Sequence, residues 1–114
     1  TYNIKYNSVV FKRNFKKSDI GLQTINLLNA KGLIDQNIIN YLKEDKSCSF
    51  LLIKKKEDFT ETEIKYRKYK TNDAPELIYN GEEFYVARNW GIGNIHRLIN
   101  KFTDKFPGLE YETN

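Results

Sequence analysis

The chain has 114 residues, a net charge of +4 and 30% charged side chains with the two signs interspersed. That is the length of one domain and the composition of a folded one, which excludes a disordered tail or a low-complexity array. No run approaches the ~20 apolar residues needed to span a bilayer, and no basic-then-apolar leader opens the chain, so no membrane partner is expected. The chain begins at Thr1 and contains no Met, which reads as a processed chain or as a piece of a larger protein; residues 1–114 are taken as a single α+β domain.

Tyr2-Asn3-Ile4-Lys5-Tyr6 alternates apolar with polar and predicts a half-buried strand, which Val9-Val10-Phe11 continues or restarts. A basic connector, Lys12 to Lys17, follows. Ser18 is placed as an N-cap with Asp19 in the first turn, and Leu22, Ile25 and Leu28 recur at helical spacing up to Gly32. This predicts a helix over Asp19–Lys31. Asp35 caps a second helix carrying Ile38, Ile39 and Leu42, ending near Asp45-Lys46. Two capped helices joined by a short Gly-containing turn form a helix–turn–helix-like pair.

Ser47 to Lys56 predicts a strand whose apolar centre suits a central position. Glu63 to Lys70 alternates, with Ile64 and Tyr66 on one face and Lys65, Arg67 and Tyr69 on the other, and predicts a strand with one wet, basic face. Leu77-Ile78-Tyr79 and Glu83 to Arg88 flank Asn80-Gly81, the strongest short hairpin signal, because both central residues of such a turn need positive φ. Asn94 is placed as the cap of a last helix with Ile95, Leu98, Ile99, Phe102 and Phe106 in one stripe. Leu109 to Glu112 reads as a short edge strand. The expected fold is α+β: an antiparallel sheet of about four strands with three helices, a helical pair near the N-terminus and a C-terminal amphipathic helix.

The sequence pI near 9.1 leans toward anionic partners such as nucleic acid. The single Cys48 lies in an apolar run and reads as an inert buried thiol; the lack of disulfides fits a reducing cytoplasm. His96 stands alone off the apolar stripe, and without Cys/His clustering neither a metal site nor any cofactor is expected. Trp90-Gly91-Ile92-Gly93 lacks the Lys-Ser/Thr of a phosphate loop and reads as a tight turn with Trp90 as a core anchor.

The candidate nucleic-acid-binding residues are Lys54, Lys55, Lys56, Lys65, Arg67, Tyr69 and Lys70. Cations neutralise phosphates, and an exposed tyrosine ring stacks on a base. The helical pair followed by this basic hairpin also has the outline of a winged helix. Two alternatives stay open. One is a protein-docking or oligomerisation module using an aromatic surface around Tyr79, Tyr85 and Trp90. The other is a small Mg-dependent nuclease, because Glu63-Ile64-Lys65 matches a Glu-x-Lys pattern in a predicted strand.

Three stretches in order, Leu28 to Ile34, Ser49 to Ile53 and Asn80 to Trp90, resemble small accessory domains of bacterial restriction and phage-defence proteins, over about residues 18–106. The resemblance implies a non-catalytic specificity or docking unit that binds DNA or a partner protein, with no catalytic residues carried over.

Overall fold

Residues 1–44 and 51–114 are described in a computed structural model; Cys48 and the first part of the strand expected over Ser47 to Lys56, residues 47–50, lie outside them. The elements in chain order are β1 (Tyr2–Tyr6), β2 (Val9–Phe15), α1 (Ile20–Ala30), α2 (Gln36–Lys43), β3 (Ile53–Lys55), α3 (Glu61–Arg67), β4 (Leu77–Tyr79), β5 (Glu82–Val86), α4 (Ile92–Lys105) and β6 (Leu109–Thr113). The class is α+β, as expected. The single sheet of about four strands is instead two three-stranded antiparallel sheets, ordered β2-β1-β6 and β3-β5-β4, with four α-helices among the described residues. None of these helices is long and apolar enough to cross a membrane.

The first sheet is built on the two chain ends. β1 and β2 form a hairpin whose turn, Asn7-Ser8, has φ of 50° and 67°, so both central residues are left-handed as a two-residue hairpin requires. β2 runs on through the segment read as a basic connector. Its register with β1 shifts twice, between Tyr2/Ile4 and Ile4/Lys5, and each shift moves side chains to the opposite face. That scrambles the alternation that would have marked Lys12–Phe15 as strand. At Asn14, φ is 55°, and its N–H is taken by the Asn3 side chain at 2.9 Å. β6 lies at the other edge of β1, as its short sequence predicts.

α1 is entered through a single 3-10 turn over Lys17–Asp19, so neither Ser18 nor Asp19 provides a side-chain cap. It ends as Gly32 predicts: the Leu33 N–H donates back to the Leu28 carbonyl at 2.9 Å, and that of Gly32 to Asn29 at 3.1 Å. Asp35 caps α2 as expected, its carboxylate accepting from the Ile38 N–H at 2.9 Å.

Within α1, the Thr24 hydroxyl donates to the Ile20 carbonyl at 2.8 Å, and the Tyr111 hydroxyl of β6 lies 2.6 Å from Thr24 Oγ1. Thr24 has one hydroxyl proton; once given to Ile20, it leaves the Tyr111 phenol as donor. Burial pushes the Tyr111 hydroxyl well above its ordinary value of 10.0. A raised folded value means a contribution intact below the unfolded value of 10.0 and lost as pH rises above it. Urea denaturation should therefore show the wild type losing stability from pH 9 to 11. Tyr111→Phe should cost about 1 kcal/mol at neutral pH and flatten that alkaline loss.

The second sheet is centred on β5, with β3 and β4 at its edges. The strand read as central is thus an edge strand over its described part. The Asn80-Gly81 turn joins β4 to β5 with φ of 51° and 81°, as the dipeptide predicts. Phe84 and Val86 are buried, and Val86 faces α1 near Gly21. Tyr85 points the other way and meets Phe59, whose ring lies 4.3 Å from that of Tyr69. The Tyr69 hydroxyl donates to the Leu51 carbonyl at 2.7 Å, and that of Tyr85 to the Asp73 carbonyl at 3.1 Å.

Residues 63–67, read as the start of a strand running to Lys70, lie instead in the helix α3. Its N-terminus is a capping box: the Thr60 hydroxyl accepts from the Glu63 N–H at 3.1 Å, and Glu63 reaches back to the Thr60 N–H. The winged-helix outline goes with the lost strand. α4 runs from Ile92 with Gly91 as its N-cap, so Asn94 lies inside the helix rather than capping it. Its stripe holds: Ile95, Leu98, Phe102 and Phe106 are buried. One cluster of buried apolar side chains runs from Ile4 in the first sheet through α1 to Phe84 in the second.

Candidate functional site

Two of the three lysines in the charged run at residues 54–56 are paired with the protein's own carboxylates. Lys54 pairs with Glu63 at 2.6 Å and lies 5.8 Å from the centre of the Phe59 ring; Lys55 pairs with Glu82 at 2.5 Å. The Lys54 ammonium, hydrogen-bonded to Glu63, holds that carboxyl below its ordinary value, aided by Thr60. The stabilisation this gives is present above the ordinary carboxylate value and is lost as pH falls through the lowered one. Lys55 and Glu82 shift in the directions that favour their charged forms, each chiefly through its hydrogen bond to the other.

Of the remaining sequence-predicted residues, Lys56 and Lys65 are exposed, and Arg67 is half-buried at the end of α3. Tyr69 is only 5% exposed and anchors the core, so it offers no stacking face. The basic strand face of Lys65, Arg67 and Tyr69 does not exist, because Lys65 and Arg67 stand on the helix α3 and Tyr69, beyond its C-cap, is buried. The Glu63-Ile64-Lys65 pattern likewise sits on a helix, with its carboxylate held by Lys54 and Thr60. Among the described residues no three His, Cys, Asp or Glu side chains gather as metal ligands would. Tyr85 and Trp90 are buried, so the aromatic surface expected around Tyr79 is not there.

Lys70 belongs to a different grouping. A cleft of about 340 Å³ is lined by Lys16, Ser18, Asp19, Lys68, Lys70 and Arg88. Three separate segments meet there: the 3-10 turn before α1, the exit of α3 and the segment after β5. Lys68 is the left-handed C-cap of α3, with φ of 54°. The Arg88 and Asn89 N–H groups both donate to the Arg67 carbonyl, at 2.8 and 3.1 Å, and the Asn89 side chain donates to the Tyr66 carbonyl at 2.6 Å. The carbonyl end of α3, which would repel an anion, is thereby covered.

Arg88 forms the floor of this arrangement. Its Nη1 donates to Asp19 Oδ1 at 2.6 Å and its Nη2 to Glu76, while Nε is buried without a hydrogen-bond partner among the described residues. Two carboxylates offset the single Arg88 charge, so the cleft's positive potential comes from the three lysines. No ion pair holds Lys16, Lys68 or Lys70 among the described residues. A second hollow of about 380 Å³, lined by Tyr41, Lys101, Asp104 and Lys105, is less suited to anions: its Lys105 ammonium lies over the Tyr41 ring, 4.4 Å from the centroid, and Asp104 sits beside it.

The sequence marks the basic run that holds Lys68 and Lys70 but does not join it with Lys16, Ser18 and Arg88 as one group. The basic connector and the Lys68-containing run are visible locally, but only the tertiary fold brings positions 16, 68 and 88 to one hollow. The chain is therefore an α+β protein with a concave basic cleft between its two sheets' connecting segments. No protein-family model, curated protein or solved structure matches it.

Proposed function

We propose that the chain is a non-catalytic nucleic-acid-binding module that takes a phosphate backbone in the cleft of Lys16, Lys68, Lys70 and Arg88. The observation that carries this is the convergence of three lysines, without ion pairs among the described residues, on one concave surface. Ser18 adds a hydroxyl donor at the same place. Concave positive surfaces concentrate anions, and a polyanion gains further by releasing condensed counterions. The proposal rests on the cleft, not on the resemblance to restriction-associated domains, which no comparison supports.

Fluorescence anisotropy with a labelled oligonucleotide tests it. Binding should weaken from 50 to 200 mM salt, with a log–log slope of about −2 for a single strand or about −3 for a duplex if the three lysines each meet a phosphate. Lys68→Glu with Lys70→Glu should abolish binding at micromolar protein. Lys31→Glu with Lys105→Glu changes net charge equally and should leave most of it. Equal losses in the two double variants would contradict the cleft as the site.

A further inference from the structure

A duplex and a single strand place different demands on such a site. Duplex readers insert a helix or a two-stranded ribbon into a groove about 12 Å wide, so their contact residues stand on a convex element. Here the cations line a hollow instead. The adjoining helix, α3, has seven residues and meets the cleft at its covered carbonyl end. A stiff two-stranded cylinder cannot follow its backbone into that hollow, whereas a flexible single strand can.

Tyr66 supplies the second observation. It is 64% exposed, although most large apolar side chains of this chain are buried. It precedes Lys68 by two residues, and its carbonyl is held by Asn89, the neighbour of Arg88. An aromatic ring is thus carried on a helix end fixed beside the cleft. Single-strand sites combine these two parts: cations that track the backbone and an aromatic face on which a base stacks.

Building on the proposed function, we infer that the nucleic acid bound here is single-stranded, with a base stacked on Tyr66 and the adjoining phosphate among Lys16, Lys68 and Lys70. Sequence preference is weak at such a site, since every base has a π-face. Exposed Tyr66 contributes little to the core, so its substitution leaves the fold intact, which a thermal melt checks.

The experiment compares labelled single strands of DNA and RNA with a hairpin duplex of the same sequence, at one salt concentration. The wild type should bind a single strand at least about tenfold more tightly than the duplex. Tyr66→Leu should lose about fivefold or more of single-strand affinity with an unchanged salt slope, and Tyr66→Phe should retain it. Duplex binding as tight as that of both strands, or full affinity in Tyr66→Leu, overturns the single-strand inference and leaves the cleft in place. No binding of any of the three overturns the proposed function itself.

Discussion

Trp90→Ala should lower stability by about 3–5 kcal/mol, the range for truncating a large buried aromatic. The indole is 2% exposed and lies where α1 crosses the second sheet. A Cβ placed on Gly21 of α1 would come 3.0 Å from Trp90 Cζ2, 2.9 Å from Leu52 Cδ1 and 3.2 Å from Val86 Cγ1. The helix therefore approaches the sheet at a point where only glycine leaves room for the ring. Helix propensity favours Ala over Gly by up to about 1 kcal/mol, and the contacts of an added Cβ offset that gain. Trp90 Nε1 also donates to the buried Ala87 carbonyl at 3.0 Å, which the truncation would orphan. Against a typical domain stability of about 5–15 kcal/mol, the loss is large, and a thermal melt should fall by on the order of 15 °C. A loss below about 1 kcal/mol would contradict the indole's place as the wedge between α1 and the sheet.

Arg88→Leu should cost about 3 kcal/mol through a different route, by leaving carboxylates without their cation. Arg88 and Glu76 have side chains only 13% and 9% exposed. Glu76 also accepts the Val86 N–H at 2.9 Å, so it is fixed in place and cannot swing out to water without breaking that bond. Asp19, at the start of α1, is more exposed and should feel the loss less. Adding Glu76→Gln to Arg88→Leu should recover more than about 1 kcal/mol in a urea-denaturation cycle, because the stranded charge is removed. Additive losses would show that the pair is not coupled. Arg88 thus acts first as a structural tie between the entrance of α1 and the second sheet. For that reason the binding tests above use Lys68 and Lys70, whose substitution leaves this tie untouched.

The elements legible in the sequence are those specified by nearby residues. Asp35 caps α2, Gly32 closes α1, Asn80-Gly81 sets a two-residue turn, and the α4 stripe spans about three turns. Where a helix cap is misassigned, the cause is competition among polar residues: Ser18 and Asn94 are good caps by type, but the chain enters α1 through a 3-10 turn and α4 begins at Ile92. α3 was misread because Ile64 and Tyr66, two apart, imitate a strand in a helix of seven residues. The Thr60–Glu63 capping box was the competing signal, four residues long against an eight-residue alternation.

The site was less legible for a physical reason. The run Lys54-Lys55-Lys56 displays charge in the sequence, but a charge is available to a ligand only if no carboxylate holds it. Glu63 and Glu82 hold two of the three. Conversely, Lys16 and Lys68 look unremarkable beside their neighbours and become a site only because the turn before α1 and the exit of α3 meet. No local pattern encodes a meeting between residues some fifty positions apart.

The most direct test of the cleft is a heteronuclear NMR titration of the isotope-labelled protein with an unlabelled single-stranded oligonucleotide. The largest backbone amide shifts should fall together on residues 16–19, 66–70 and 88–89. Shifts confined to residues 54–56 and the 79–83 turn, or no shifts at high-micromolar oligonucleotide, would contradict the account.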